Sequence, residues 1–596
     1  RRCLVQGIKE IFQGCIRTGL ELLLVHSVSL PRRLLDDGYF EGSKLSRLPA
    51  AFDHLLPFRR CLGALFWSRK RMEISCIRHT DLPHASRLFT DFLYHYDRVA
   101  TFYEHRPLSP SSYRAAIEKM DYPDERRAAL VRALRRSKQD SPSLELLAQP
   151  DTVAVVTGQQ VGLFSGPAYT IYKALTAARI AHQLTEQGIR AVPVFWLATE
   201  DHDFEEVNHC RVFDDQHRPV LLQVPNGAGN QTPVGTIPLR DVPVAALQKA
   251  LSGLPFGDSV AAAVEEAYVP GQTLGAAFAN LLKRLLARYG FLFLDPMTPE
   301  IRELTAPVLR KALDAAPELT AGLLARNREL EQRGYHAQVH VEPETSLFFL
   351  LESGKRLTLR RSNNHYTARD RRFTTEELKD LADHLSPNAL LRPVVQDYIL
   401  PTVAYTAGPA ELAYFAQSEV VYRTLLGRMP VSVPRSGFTL IDDRTLKLMR
   451  RYQLSFQDAL RGETALRDQI ARTLVPPALK QRFGETVQSV ARDLDRLRDD
   501  LKAFDVTLAA ALEKSRAKIL YQLSKNERKA ANEALRRDER AANDAAWISG
   551  LIYPQKHLQE RYYSILPFLA RHGLDLIDRL YENVHLECPD HLVVHV

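Results

Sequence analysis

The 596-residue sequence predicts an α/β protein: a parallel-sheet core with small insertions, followed by a helical coiled-coil region. Three observations carry that prediction. Thr152–Val156 (TVAVV) and Val192–Ala198 (VPVFWLA) are short, continuously apolar runs, the pattern of strands buried on both faces. Thr170–Glu186 lies between them with helical period, so the three segments form a βαβ unit with a right-handed crossover. From about Thr439 the chain becomes rich in Leu, Ala, Arg and Asp and keeps helical period.

Each element follows in order. Ser86–Tyr103 places Leu88, Phe89, Phe92, Leu93, Tyr96, Val99, Phe102 and Tyr103 at helical spacing, ahead of a Pro/Ser break at 107–112. Ala128–Leu134 continues the helical pattern. After the βαβ unit, Arg211–Leu239 alternates in short pieces around Asp214–Asp215 and Asn226–Gly229, as in a small antiparallel insertion. Leu274–Tyr289 reads as helix, Phe291–Leu294 as a buried strand, and Val308–Gln332 as a helix interrupted near Pro317. Ser353–Gly354–Lys355 between Ser346–Glu352 and Arg356–Arg360 signals a hairpin. A further loop-to-helix passage runs from Tyr405 to Leu426. Val487, Val490, Leu494, Leu497, Leu501, Phe504, Leu508 and Ala511 then alternate spacings of three and four, a coiled-coil seam. An antiparallel partner from residues 441–475 would close it within one subunit, leaving a dimer contact elsewhere on the helical region. The domains expected are 72–438 for the core, with inserted subdomains at about 211–240 and 340–390, then 439–548 for the helical region. Residues 549–596 return to the core.

Composition agrees with a folded chain. Apolar, charged and aromatic fractions of 45%, 25% and 8% exclude wholesale disorder and a disulfide scaffold. The six cysteines are scattered without a Cys-x-x-Cys pair, and read as reduced thiols of a cytoplasmic protein. Residues 1–71 hold 13 Lys and Arg against 6 Asp and Glu, whereas the other 525 hold 66 and 65. The formal charge of +8 therefore belongs mostly to the first 71 residues, and the bulk carries no nucleic-acid signature. No apolar run approaches the ~18 residues of a membrane span. The first methionine is Met72. Residues 1–71 are expected to be a non-native or dispensable extension, with the functional protein starting at Met72.

Three segments carry chemistry. In Thr157–Tyr169 (TGQQVGLFSGPAY), Gly158, Gly162 and Gly166 stand between a strand and a helix, where backbone can approach a ligand and free amides favour anions. Gln159 and Gln160 suit recognition, and Lys173 follows about two turns into the helix. A purely structural βα turn has the same spacing. In Thr199–His209 (TEDHDFEEVNH), five carboxylates and two histidines follow the carboxyl end of a strand, where open α/β sheets bind ligands. Glu200, Asp201, His202 and Asp203 are the candidates for proton transfer, with a Mg²⁺ site through Asp201 and Asp203 as a second use. A solvated acidic loop is the bland alternative, and the His202–His209 spacing fits no common zinc motif. In Leu391–Gln417, Gly408–Pro409–Ala410 echoes Gly166–Pro167–Ala168, and Glu411, Tyr414 and Gln417 recur every three residues on one helical face. Arg392 could pair with a carboxylate; Tyr414 and Phe415 also fit an ordinary core.

TGQQVGLFSGPAYTIYKALTA, VPVFWLATEDHDFEEVNH and RPVVQDYILPTVAYTAGPAELAYFAQ closely resemble signature segments of the BshC family, cysteine-adding enzymes of bacillithiol biosynthesis. LQERYYSILPFLARHGLDLIDRL resembles that family's closing segment, so the likeness runs from Met72 to Val596. The resemblance implies a Rossmann-like core with connecting-peptide insertions, a coiled-coil region, and a homodimer. It also implies condensation of L-cysteine with glucosaminyl malate, with no nucleic-acid or membrane partner. Because the carboxylate must be activated, ATP and Mg²⁺ are expected, and no zinc, flavin or haem. Lys173 and Arg392 then join the 200–203 cluster as catalytic candidates. Thr157, Gly158, Gln159, Gln160, Gly162, Gly166, Tyr169, Gln396, Asp397, Tyr405, Gly408, Glu411, Tyr414 and Gln417 are the substrate-binding candidates. The rival readings are a nucleotide- or thiol-binding protein without ligase chemistry, and a nucleotidyltransferase acting on another acid.

Overall fold

The computed structural model describes residues 72–596, apart from 226–228, 230, 363 and 364. The reading of residues 1–71, and Asn226–Ala228 of the expected insertion, lie outside the described residues.

β1 (Ile74–Ile77) precedes a set of helices, among them Arg87–Tyr94 and Asp124–Arg136. The expected helix over 86–103 ends at Tyr94, because His95 leaves helical geometry (φ −139°, ψ 48°). Short 3₁₀ turns at 96–98 and 100–102 carry Phe102 and Tyr103 into the core instead. β2 (Val153–Gln160), α1 (Tyr169–Glu186) and β3 (Ala191–Ala198) form the βαβ unit. β2 runs farther than TVAVV suggests: Gly158, Gln159 and Gln160 pair with Trp196, Leu197 and Ala198. A Cβ at Gly158 would stand 3.0 Å from that of Trp196, so glycine is what lets these two strands approach.

α2 (Phe204–Val207) leads to a hairpin of β4 (His209–Phe213) and β5 (Pro219–Gln223), then to further helices and β6 (Leu292–Leu294). The helical stretch expected over 308–332 starts earlier, as α3 (Pro299–Asp314), and a second helix follows over Ala316–Gln332. Pro317 occupies the first turn of that second helix, where its missing N–H costs no hydrogen bond. β7 (Thr345–Glu352), β8 (Lys355–Ser362), β9 (His365–Ala368), β10 (Arg371–Thr374) and β11 (Leu385–Pro387) make an inserted antiparallel sheet of order β10-β9-β8-β7-β11. Its first turn holds Ser353 and Gly354 at φ 50° and 71°, the left-handed geometry of a two-residue hairpin loop.

α4 (Arg392–Ile399), β12 (Thr402–Ala407), α5 (Pro409–Leu425) and β13 (Val431–Pro434) complete the core. Its central sheet has the order β13-β12-β2-β3-β6, parallel throughout. Counted along the chain this is the 3-2-1-4-5 order of a Rossmann-like sheet. Successive strand residues feed opposite faces: Val153 and Val155 join α1 in one apolar cluster, and Ala154 and Val156 join α3 and α5 in another.

After β14 (Phe438–Ile441) the chain is helical: α6 (Glu463–Leu474), α7 (Pro477–Phe504), α8 (Val506–Arg537) and α9 (Glu539–Ile552). The seam closes within the chain, but its partner differs from the one expected. α7 folds back on α8 at Asp505, and ion pairs Arg498–Glu513 and Arg516–Asp495 mark the antiparallel register. The apolar series therefore does not continue along one helix; it crosses the hairpin tip, leaving Phe504 84% exposed. α6, within the expected partner 441–475, packs against the far part of the hairpin, on α8. β15 (His591–His595) returns to lie between β1 and β14, with Leu592 and Val594 in the core cluster.

Candidate active site

The order in which strands are added to the central sheet reverses between β2 and β12, and the crevice outside their carboxyl ends is where open α/β sheets bind ligands. A cavity of about 590 Å³ lies there. β2 supplies Gly158, Gln159 and Gln160, and α1 supplies Tyr169 and Lys173. β3 and the loop after it supply Trp196, Glu200, Asp201 and His202, and α2 supplies Glu206. The inserted sheet adds Phe349 and Arg356, α4 adds Arg392, and the β12–α5 passage adds Tyr405, Gly408, Glu411 and Tyr414. Arg435 and Arg561 close the wall from the C-terminal side. Five cationic side chains thus face one space.

Several of those charges are already engaged. The Lys173 ammonium, buried, meets the Glu411 carboxylate at 2.7 Å and donates to the Gly158 carbonyl. Glu411 also accepts from the Tyr405 hydroxyl and the Gly408 amide, both at 2.8 Å, so it caps α5 while holding Lys173. Burial opposes its charge, but Lys173 and these donors hold its carboxyl below the ordinary range. Arg435 makes a two-pronged pair with Glu560 at 2.5 and 2.8 Å, and Arg392 donates to Gln396 and Tyr414 at 3.0 and 3.2 Å.

In the acidic loop the carboxylates take different tasks. Asp203 accepts from the Glu206 amide at 3.2 Å, capping α2, and does not line the cavity. Asp201 accepts from Gln160 and from the His202 amide, each at 2.7 Å. Glu200 is 4% exposed; its Oε2 accepts from Ser386 Oγ at 2.7 Å, its charge faces those of Arg302 and Arg356, and among the described residues its Oε1 has no hydrogen-bond partner. The indole N–H of Trp196, also on the cavity wall, is likewise buried without an acceptor. Arg356 donates to His202 Nδ1 at 3.1 Å. Burial first, then the Arg356 charge, push the imidazole below its usual pKa, against the pull of Asp201 and Asp203.

The remaining candidates lie off the wall. Thr157 is buried and donates to the Thr406 carbonyl. Gly162 and Gly166 pack against each other in the turn before α1, where a Cβ on Gly162 would stand 3.0 Å from Gly166. The start of α1 faces the C-terminal segment, its Ala168 amide donating to the Tyr563 carbonyl. Gln396 and Asp397 are buried, Asp397 accepting from the Tyr422 hydroxyl. Gln417 holds Val339 and Asn327. Arg356, Arg435, Arg561, Phe349, Trp196 and Glu206 are wall residues the sequence reading did not single out.

For a metal ion, Asp203 is committed to the helix cap, and among the described residues no group of three or more His, Cys, Asp or Glu side chains stands together as ligands. The Asp201–Asp203 pair therefore does not fit Mg²⁺ as a resident ion. Cationic side chains and two orphaned polar atoms instead fit an anionic or zwitterionic organic ligand.

The family model described as the N-terminal Rossmann-like domain of bacillithiol biosynthesis BshC matches residues 72–436. That family's C-terminal coiled-coil domain matches residues 438–596. A relative from Solibacter usitatus, named "Putative cysteine ligase BshC", is 57% identical over 525 residues, covering 88% of this chain and 100% of its own. Relatives of the same name from Koribacter versatilis and Salinibacter ruber are 38% and 32% identical, across 99% and 96% of their lengths. With both domain models matched in order and nearly the whole of each relative aligned, the chain belongs to the BshC family of bacillithiol biosynthesis.

Proposed function

We propose that this chain is a cysteine ligase that makes the last amide of bacillithiol, joining the carboxylate of L-cysteine to the amine of glucosaminyl malate. Family membership and the relatives' printed name support the reaction class. The observation that carries the site assignment is Glu200, a buried carboxylate on the cavity wall with one oxygen anchored and the other, among the described residues, without a hydrogen bond.

A carboxylate does not condense with an amine in water unless it is activated, so ATP is the proposed cosubstrate. Cysteine carboxylate attacks the γ-phosphorus and releases ADP, or attacks the α-phosphorus and releases pyrophosphate. The sugar amine then adds to the acyl carbon, loses one proton, and expels phosphate or AMP. Glu200 Oε1 takes that proton, since Asp201 accepts from Gln160 of β2 and from the His202 amide, and Asp203 from the Glu206 amide. Arg356, Arg392, Arg435 and Arg561 supply the positive potential that anionic substrates and the developing charge require. Mg²⁺ enters in this scheme as the nucleotide's own complex.

The same reading includes a cytoplasmic homodimer. Among the described residues no helix is long and apolar enough to cross a membrane. Leu497, Phe504, Val506 and Leu508 of the α7–α8 hairpin are 46%, 84%, 68% and 46% exposed, an apolar surface suited to a second copy. The test is incubation of the purified protein with L-cysteine, glucosaminyl malate, ATP and Mg²⁺. Bacillithiol should appear with one ATP cleaved per product; a protein that binds these ligands without forming product would overturn the proposal.

A further inference from the structure

The inserted sheet reaches the cavity through Phe349, Pro387 and Arg356, of which Arg356 alone carries charge. Arg356, the second residue of β8, is 7% exposed, its guanidinium fixed on three sides. Nε donates to Ser386 Oγ at 3.0 Å, Nη2 donates to the Pro387 carbonyl at 2.8 Å, and the plane lies 3.9 Å from the Phe349 ring centre. The remaining edge, Nη1, is 3.1 Å from His202 Nδ1.

A guanidinium has donors only and stays charged, so the imidazole nitrogen facing it must present a lone pair. A neutral ring with its lone pair on Nδ1 carries its proton on Nε2. A doubly protonated ring would set N–H against N–H. The other charged groups near the ring, Asp201 and Asp203, belong to its own loop, and Asp201 Oδ1 stands 3.8 Å from Nδ1, too far to claim that nitrogen. Among the described residues nothing partners Nε2, and His202 lines the cavity.

We propose that Arg356 is a positioning residue that locks His202 as an Nε2–H donor, and that His202 gives this hydrogen bond to a negatively charged substrate oxygen in the cavity instead of taking a proton. This rests on the reading of the cavity as an acyl-transfer site, where charge grows on the acyl oxygen as the amine adds. The inserted sheet then completes the electrophilic side of the site, and Glu200 serves the amine side.

The test is the ring ¹⁵N spectrum of the full chain labelled in histidine, with His202 assigned by its loss in His202→Gln. At pH 7.5 Nδ1 should resonate as a bare nitrogen and Nε2 as a protonated one, and Arg356→Met should release that preference. A ring protonated on Nδ1, or on both nitrogens, overturns the proposal in the wild-type spectrum alone, whether or not Arg356→Met folds. Kinetics supply the second readout. The glutamine amide in His202→Gln reaches the Nε2 position, so amide formation should stay within roughly tenfold of wild type. His202→Asn reaches only the Nδ1 position and should lose about 10²–10³-fold, as for other oxyanion donors. A glutamine variant as inactive as the asparagine one contradicts the donor role. A wild type that forms no amide at all removes the ligase reading and the donor role together, while the ring spectrum still decides the tautomer.

Discussion

Glu200 and Ser386 come from different elements, one after β3 and the other from β11 of the inserted sheet, and meet at 2.7 Å. Because the serine hydroxyl satisfies one oxygen, Glu200→Gln can keep that bond while losing the ability to accept a proton. The expected result is a fall in kcat of about 10²–10⁴-fold, the range of positioned acid–base groups, with the melting temperature within a few degrees of wild type. Full activity in Glu200→Gln would move the base elsewhere. At this scale the loop's place was legible: carboxylates crowded at the end of a buried strand point to the crevice, and Glu200, Asp201 and Glu206 line the cavity there. Their division of labour was not, since capping by Asp203 and anchoring of Glu200 depend on the loop's backbone path and on Ser386, 186 residues away. The arginines were hidden for the same reason. Nothing in RLTLRRS separates Arg356, buried on the cavity wall, from exposed Arg360 four residues on.

Among the elements, strands and helices declared themselves through period, and their ends were harder to read. Gly158–Gln160 looked like loop because glycine and glutamine carry no strand signal, yet the backbone pairs with Trp196–Ala198 and brings both glutamines to the crevice. The α7–α8 hairpin hides its turn because both arms of an antiparallel pair carry the same apolar rhythm. Only Asp505 marks the break: its carboxylate accepts from the Thr507 and Leu508 amides at 2.6 and 3.2 Å, starting α8 in place of a Gly or Pro stop. Two substitutions separate the hairpin's inner and outer surfaces. Leu494 is half-buried between the arms, so Leu494→Asp should lower the melting temperature measurably by desolvating a charge. Phe504 is exposed at the tip, so Phe504→Asp should leave melting unchanged and shift sedimentation toward the monomer if the tip contacts a second copy. Unchanged mass in Phe504→Asp would contradict a contact between copies at the tip.

For the whole molecule, sheet topology was only half legible. One βαβ unit fixed the parallel core, but the strand order that creates the switch point depends on β12 and β13, more than two hundred residues later. The C-terminal return was visible as mixed apolar pattern; its placement of β15 between β1 and β14, and of Glu560 on Arg435, required tertiary contacts. That closure has a pH signature. His79 and His572 are held neutral chiefly by burial, with pKa values lowered from 6.5 to about 3 and about 4. Below pH 6.5 the unfolded chain takes these protons first, so the stability present above pH 6.5 is lost as pH falls, by at most about 1.4 kcal/mol per pH unit for each ring. Melting temperature should therefore drop from pH 7 to pH 5, with a shallower slope in His572→Gln; a flat profile would show that these rings protonate freely in the fold.

The claim on which the account turns is that the cavity activates the cysteine carboxylate with a nucleotide before the amide forms. L-Cysteine labelled with ¹⁸O in both carboxylate oxygens, incubated with glucosaminyl malate and ATP, reads this directly by mass spectrometry of the products. The account predicts bacillithiol retaining one ¹⁸O in its new amide, with the other transferred to inorganic phosphate or to AMP. Bacillithiol formed while phosphate and AMP stay unlabelled would contradict it.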